Sequence, residues 1–323
     1  MDRTFKFPVT YSLVSSKAIE DELIPLYNLP RTSSVLFIHQ GINDTYLIST
    51  SEGKYILRIY RANWKSLTDV TAELDLLLLL NDNGLPVSYP LPDKSGNFIQ
   101  RIDCPEGIRF AVLFCHAPGG SLPSLNDQNA DLFGQYVGRL HNITEDLKLS
   151  GLSREYTPVE ILRNTKRALQ LLVANNEEAY EIAQNLFHRL EEKLNGELLR
   201  SVRSGICHGD LHHQNIFWEV STEKITLFDF DFCGHGYLTY DLGCFLRYER
   251  DSPGNIVNFL NGYEKVRPLN QSEKACLPYF EVLMRVFHLG ARGMNADGLK
   301  NSKWLNSDMV NTICDIDMQL SKI

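Results

Sequence analysis

Two neighbouring stretches constrain this chain more than anything else in it: Ile206-Cys207-His208-Gly209-Asp210-Leu211-His212-His213-Gln214-Asn215-Ile216-Phe217, then Ile225-Thr226-Leu227-Phe228-Asp229-Phe230-Asp231-Phe232. Each is an apolar run bounded by oxygen-bearing side chains, which puts polar chemistry at the mouth of a buried element, where active sites sit. Residues 215–220 and 224–229 are rich in β-branched and aromatic side chains, and Ser221-Thr222-Glu223 between them is short enough for a hairpin. A hairpin centred near Thr222 predicts Asn215 opposite Asp229, or one residue from it, at the open end. Asp210, five residues before Asn215, lies in a Gly-containing loop that folds over that end.

An Asp beside an Asn/Asp pair offers hard oxygen donors of the kind Mg²⁺ takes, usually together with a phosphate. Asp210 is then left to orient a hydroxyl nucleophile and accept its proton. A catalytic-loop Asp, an Asn five residues on and an Asp after the next strand divide the labour in the same way in kinase-type phosphoryl transfer. His208-Gly209-Asp210-Leu211-His212-His213-Gln214-Asn215 followed by Leu227-Phe228-Asp229-Phe230 resembles the aminoglycoside phosphotransferase and choline kinase superfamily. The resemblance implies an α+β, bilobal protein-kinase-like fold. Residues 1–115 would form a β-rich nucleotide-binding lobe and 116–323 a helical catalytic and acceptor-binding lobe, with ATP and Mg²⁺ between them.

Composition agrees with such a fold and excludes others. A chain of 323 residues with 43% hydrophobic residues can bury a sizeable core. Its formal net charge of -8 argues against a nucleic-acid binder held by phosphate contacts. Seven cysteines, an odd number with no Cys-x-x-Cys, read as reduced residues of a cytoplasmic protein. Met1-Asp2-Arg3-Thr4 opens without an apolar signal region, and the run Leu76 to Leu80 is too short to span a bilayer, so no membrane is expected as a partner.

Along the chain, Ser16 to Leu29 has helical spacing. Val35 to Ile38, Thr45 to Ile48 and Tyr55 to Tyr60 read as an antiparallel meander, and Lys65 to Asn81 as a helix. Asn97 to Asp103 and Arg109 to Phe114 complete a small sheet. The resemblance implies that the Gly41 turn covers the nucleotide phosphates, that Arg58 reaches them in place of the usual Lys, and that Glu73 pairs with Arg58. It also implies that Cys115, through its carbonyl, and Ala117, through its N–H, meet the adenine. An ordinary hairpin turn, a surface arginine and an exposed helix glutamate are the unremarkable alternatives for Gly41, Arg58 and Glu73.

From about residue 121 the pattern is helical: Asp127 to Ile143, Thr157 to Val173, Glu177 to Leu199, then Pro253 to Glu264, Gln271 to Gly290 and Ser302 to Ser321. Gly134 and Gly138 predict a close helix contact, and Asp241 suits a helix cap, while the resemblance of Tyr240-Asp241-Leu242 to the family's motif implies that Asp241 braces the catalytic loop. Glu249 and Asp251 read as solvated charges. The resemblance implies Asp210 as base with His208 bracing its loop, Asn215 and Asp229 on the metal, and a small-molecule hydroxyl acceptor of aminoglycoside, choline or homoserine type. A protein Ser/Thr kinase of the same fold and a non-catalytic nucleotide-binding regulator are alternatives. A transition-metal hydrolase built on His208, His212, His213 and His235 would leave the Asn215/Asp229 hairpin unexplained.

Overall fold

The computed structural model describes residues 7–172, 177–194, 196–294 and 307–323. In chain order come β1 (Thr32–Gln40), β2 (Asp44–Thr50), β3 (Lys54–Ile59), α1 (Leu67–Asp82), β4 (Ile99–Cys104), β5 (Gly107–Cys115), α2 (Asp127–Thr144), β6 (Glu155–Tyr156), α3 (Pro158–Leu172) and α4 (Glu177–Lys193). After them come β7 (Ser204–Cys207), β8 (Ile216–Glu219), β9 (Lys224–Leu227), β10 (Gly234–Tyr237), α5 (Thr239–Tyr248), α6 (Pro253–Val266), α7 (Gln271–Met294) and α8 (Ser307–Leu320). The architecture is α+β. Met1 to Thr4, Val173, Asn195 and residues 302–306 of the expected last helix lie outside the described residues.

The chain divides into two compact units, the first made of Met1–Gly120, Leu149–Gly151 and Phe217–Phe228, the second of Ser121–Lys148, Leu152–Ile216 and Asp229–Ile323. In the first, five antiparallel strands run in the order β1-β2-β3-β5-β4. Side chains alternate across a pleated strand, so Tyr46 and Ile48, Leu57 and Ile59, and Ala111 and Leu113 share one buried face. Ile19, Leu23, Ile24 and Tyr27 cover that face. Full burial of each such side chain stabilises the unit by roughly 1.5–3 kcal/mol.

Those covering residues do not sit on the single helix that their spacing predicts. An α turn at Ser16–Ala18 passes into a π turn at Ile19–Leu23 and a 3-10 turn at Ile24–Leu26. Pro25 has no N–H to continue the α ladder, so the helix tightens and ends there. α1 starts cleanly because Ser66 and Asp69 form a reciprocal capping box. The β8–β9 hairpin belongs to the first unit: Leu227 N donates to Pro86 O at 3.0 Å, Ser88 N to Leu227 O at 3.0 Å, and Trp218 N to Gly120 O at 2.9 Å.

In the second unit a three-stranded sheet runs β6-β10-β7, with β10 parallel to β6 and antiparallel to β7. α2 meets α6 closely: a Cβ on Gly134 would stand 1.9 Å from Phe259 O, and one on Gly138 would stand 3.0 Å from Val266 Cβ. Only glycine allows the backbones that near. Phe133, Phe245 and Phe259 tie α2, α5 and α6 together, the last two stacked with centroids 3.6 Å apart. Among the described residues no helix is long and apolar enough to cross a membrane.

Candidate active site

β7 ends at Cys207, paired with Gly234 of β10, and releases the chain into the His208–Asn215 loop. The turn needs Gly209, whose φ is 87° and whose missing Cβ would lie 2.1 Å from Phe232 O. Asp241 fixes the loop from below, accepting from His208 N at 2.7 Å and Gly209 N at 2.9 Å through its two oxygens. Asp241 lies in the first turn of α5, and its fully buried carboxylate faces the loop backbone rather than capping its own helix, which is the bracing that the Tyr240-Asp241-Leu242 resemblance implies. Two otherwise orphaned N–H groups in a buried turn are the stronger demand.

Asp241 is held in turn. His141 Nε2 is 3.2 Å from Asp241 Oδ2, and His141 Nδ1 is 2.9 Å from the Tyr263 hydroxyl. Burial pushes the His141 pKa below its usual value, more than Asp241 raises it. A neutral ring then donates from Nε2 to the carboxylate and accepts from the Tyr263 O–H at Nδ1.

Asp210 presents a half-buried carboxylate. Tyr248 O–H donates to Oδ1 at 3.2 Å, and His212 Nε2 lies 3.4 Å from Oδ2. His212 Nδ1 accepts from Gln214 N at 3.2 Å, and its Nε2 faces both Asp210 Oδ2 and, at 3.1 Å, the Asn215 amide nitrogen. Burial by itself raises the Asp210 pKa. The His212 hydrogen bond and the fields of His212, His288 and His208 outweigh it and hold the acid below its ordinary 3.8. Asp210 is therefore ionised at neutral pH.

His208 is buried, its Nδ1 accepting from Asp210 N at 3.3 Å and its ring 4.4 Å from that of Phe230. Asn215 is also buried, and its Nδ2 donates to Asp210 O at 2.8 Å, which turns Oδ1 the opposite way. The paired hairpin positions expected of Asn215 and Asp229 need correction. Asn215 closes the 3-10 turn His213–Asn215 just before β8, and Asp229 lies beyond the end of β9. Asp229 has φ 63° and ψ 57°, a left-handed conformation that cannot extend a strand. It leads into the Phe230–Phe232 turn, which packs on His208 and Gly209.

The remaining expected residues lie in the first unit. Gly41 is exposed in the β1–β2 turn, its N donating to Asn43 O at 3.1 Å. Arg58 on β3 lies with Nη1 3.4 Å from Glu73 Oε1, its guanidinium 5.6 Å from the Phe114 ring centre. Glu73 on α1 is fully buried, not an exposed helix residue. It also accepts from Tyr60 O–H at 3.0 Å and Lys65 Nζ at 2.5 Å. Lys65 escaped the sequence reading because its pairing spans eight residues across a turn that no periodicity reports. Cys115 ends β5 with its carbonyl accepting from Ser88 O–H at 2.6 Å, and Ala117 is buried just beyond.

His212 and His213 diverge, the second binding Glu249 Oε1 at 2.6 Å through Nδ1. Glu249 is buried and also accepts from Asn255 at 2.9 Å, so it is not a solvated charge. Among the described residues no three His, Cys, Asp or Glu side chains come together as metal ligands. Tyr248 and His212 thus frame an ionised Asp210 carboxylate, and no imidazole cage forms among the described residues.

Comparison with known proteins places the chain among phosphotransferases. The model of the phosphotransferase enzyme family matches residues 35–273. A homoserine kinase of Sinorhizobium medicae is 29% identical over 273 residues, 80% of this chain and 79% of the kinase. Among solved structures, the microcompartment-associated aminopropanol kinase superposes with a TM-score of 0.79 at 22% identity, covering 95% of this chain and 97% of that one. The amicoumacin kinase hAmiN in complex with AMP-PNP, Ca²⁺ and Ami gives 0.73 at 21% identity, covering 95% of each.

Proposed function

This chain belongs to the phosphotransferase enzyme family, and on that premise we propose that it moves the γ-phosphate of ATP to the hydroxyl of a small amino alcohol, with Asp210 as base. The observation that carries the reading is the Asp210 carboxylate itself. It is ionised by its surroundings, oriented by Tyr248 and His212, and carried on a loop that Asp241 locks. In the transfer, the acceptor oxygen bonds to the γ-phosphorus, the bond to the β–γ bridging oxygen breaks, ADP leaves, and the acceptor proton passes to Asp210. The transition state needs little covalent help, so positioning and charge neutralisation do most of the catalysis.

Asn215 and Asp229 suit Mg²⁺ by donor chemistry, since the Asn215 amide nitrogen is committed to Asp210 O and its oxygen is turned away. Held by those two side chains, such an ion would supply positive charge to offset that of the phosphates. Residues 1–115 serve the nucleotide: the Gly41 turn and Arg58 hold phosphate, Glu73 orients Arg58, and Cys115 and Ala117 meet the base. Residues 116–323 supply the catalytic loop, with His208 as its brace, and the acceptor pocket. Homoserine and aminopropanol, named for two relatives, are both alcohols bearing an amine, which supports that acceptor class.

The test is ATP consumption across a panel of amino alcohols and aminoglycosides. Asp210→Asn keeps ATP affinity while transfer falls by about 10² to 10⁴-fold; Asp229→Ala and metal chelation each remove Mg²⁺-dependent ATP binding. Wild-type transfer by Asp210→Asn overturns the reading.

A further inference from the structure

Resting on the reading of Arg58 as a phosphate ligand, we propose that Lys65 is a positioning residue. It satisfies Glu73 and so keeps that carboxylate from capturing the Arg58 guanidinium. Glu73 is fully buried, and a buried carboxylate draws on whatever cations are near. Among the described residues two are near, on different oxygens: Lys65 Nζ at 2.5 Å from Oε2, and Arg58 Nη1 at 3.4 Å from Oε1, an oxygen already taking the Tyr60 hydroxyl at 3.0 Å. Charge-assisted hydrogen bonds run at about 2.7–2.9 Å, so the contact with Lys65 is tight and the one with Arg58 loose.

The tight contact is built in locally. Lys65 directly precedes Ser66, the residue that caps α1, and the reciprocal Ser66–Asp69 bonds, 3.1 and 3.2 Å, fix the chain there. The Lys65 side chain is only 6% exposed, so it is not a solvated surface lysine. The ion pair of this helix glutamate is thereby split: Lys65 neutralises, and Arg58 keeps a geometry that Glu73 guides without holding. Removing Lys65 leaves Arg58 as the nearer counter-charge, and the guanidinium turns from phosphate to carboxylate.

The experiment measures binding of ATP·Mg²⁺ and of adenosine by calorimetry to the wild type, Lys65→Met, Lys65→Arg, Arg58→Met and the Lys65→Met/Arg58→Met double variant. We expect Lys65→Met to weaken ATP about 10-fold or more with adenosine unchanged, Lys65→Arg to retain affinity, and the double variant to bind ATP no worse than Arg58→Met. An unchanged Lys65→Met, additive losses in the double variant, or an equal loss for adenosine each overturn the role of Lys65. A wild-type affinity in Arg58→Met overturns instead the phosphate reading of Arg58 beneath it.

Discussion

Replacing Asp241 by asparagine keeps the shape of the side chain and removes one of its two acceptors. In the parent, each oxygen takes one main-chain N–H, at 2.7 and 2.9 Å, inside a fully buried site. In the variant one of those N–H groups faces an amide NH₂ and loses its partner, while the other keeps a neutral bond instead of a charge-assisted one. A hydrogen bond to a charged group contributes about 1.5–3 kcal/mol, and an orphaned buried N–H costs about 1–3 kcal/mol. The His141 contact, at 3.2 Å, also loses its charged acceptor. Together these give a loss of about 3–5 kcal/mol, a large share of a domain's stability. Urea unfolding followed by intrinsic fluorescence reads it as a lower midpoint at an unchanged slope. Because the same N–H groups set the loop that carries Asp210, turnover should fall about 10²-fold while ATP affinity holds. A variant within about 0.5 kcal/mol of the parent, turning over at the parent rate, would refute the assigned role of Asp241.

Three further outcomes are expected. Glu273 is buried, and although burial raises its pKa, the Arg203 pair at 2.5 Å and the backbone N–H groups of Asn270 and Arg203 bring it below its ordinary 4.5. Its stabilisation is therefore present above that value and lost as pH falls through the lower folded one. Glu273→Gln should destabilise the protein at pH 7, and the difference should shrink in denaturation curves taken at about pH 3.5. Gly209→Ala places a Cβ 2.1 Å from Phe232 O at a φ of 87°, and should cost more than about 2 kcal/mol in thermal unfolding. Arg109→Met strands the Asp44 carboxylate that Arg109 meets at 2.6 Å, both side chains being buried. A loss of about 3–5 kcal/mol by chemical denaturation is expected.

Much of this architecture is written locally in the chain. The alternating strands of the first sheet, the Gly134/Gly138 pair against α6, and the His208–Asn215 loop each follow from residues adjacent in sequence or one helical turn apart. What stays hidden depends on contacts that no local pattern encodes. Asp241 reads locally as a cap because Asp favours that position; its hold on a backbone 32 residues earlier is legible only through the Tyr240-Asp241-Leu242 resemblance, not from any local pattern. Asp229 reads as the last residue of a strand because the apolar pattern runs on through it; the left-handed turn that ends β9 has no side-chain signature there. Lys65 looks like surface charge until its side chain folds back onto Glu73.

If Asp229 holds the metal as proposed, its left-handed backbone sets durability against turnover. An aspartate held at φ 63° strains the chain by roughly 1–2 kcal/mol, which a glycine would release while deleting the carboxylate proposed for the metal. On that proposal, selection for heat tolerance alone would favour relaxing this backbone position, and the carboxylate would be lost with it. Retention of the acid through such a screen would need a gain that only catalysis supplies.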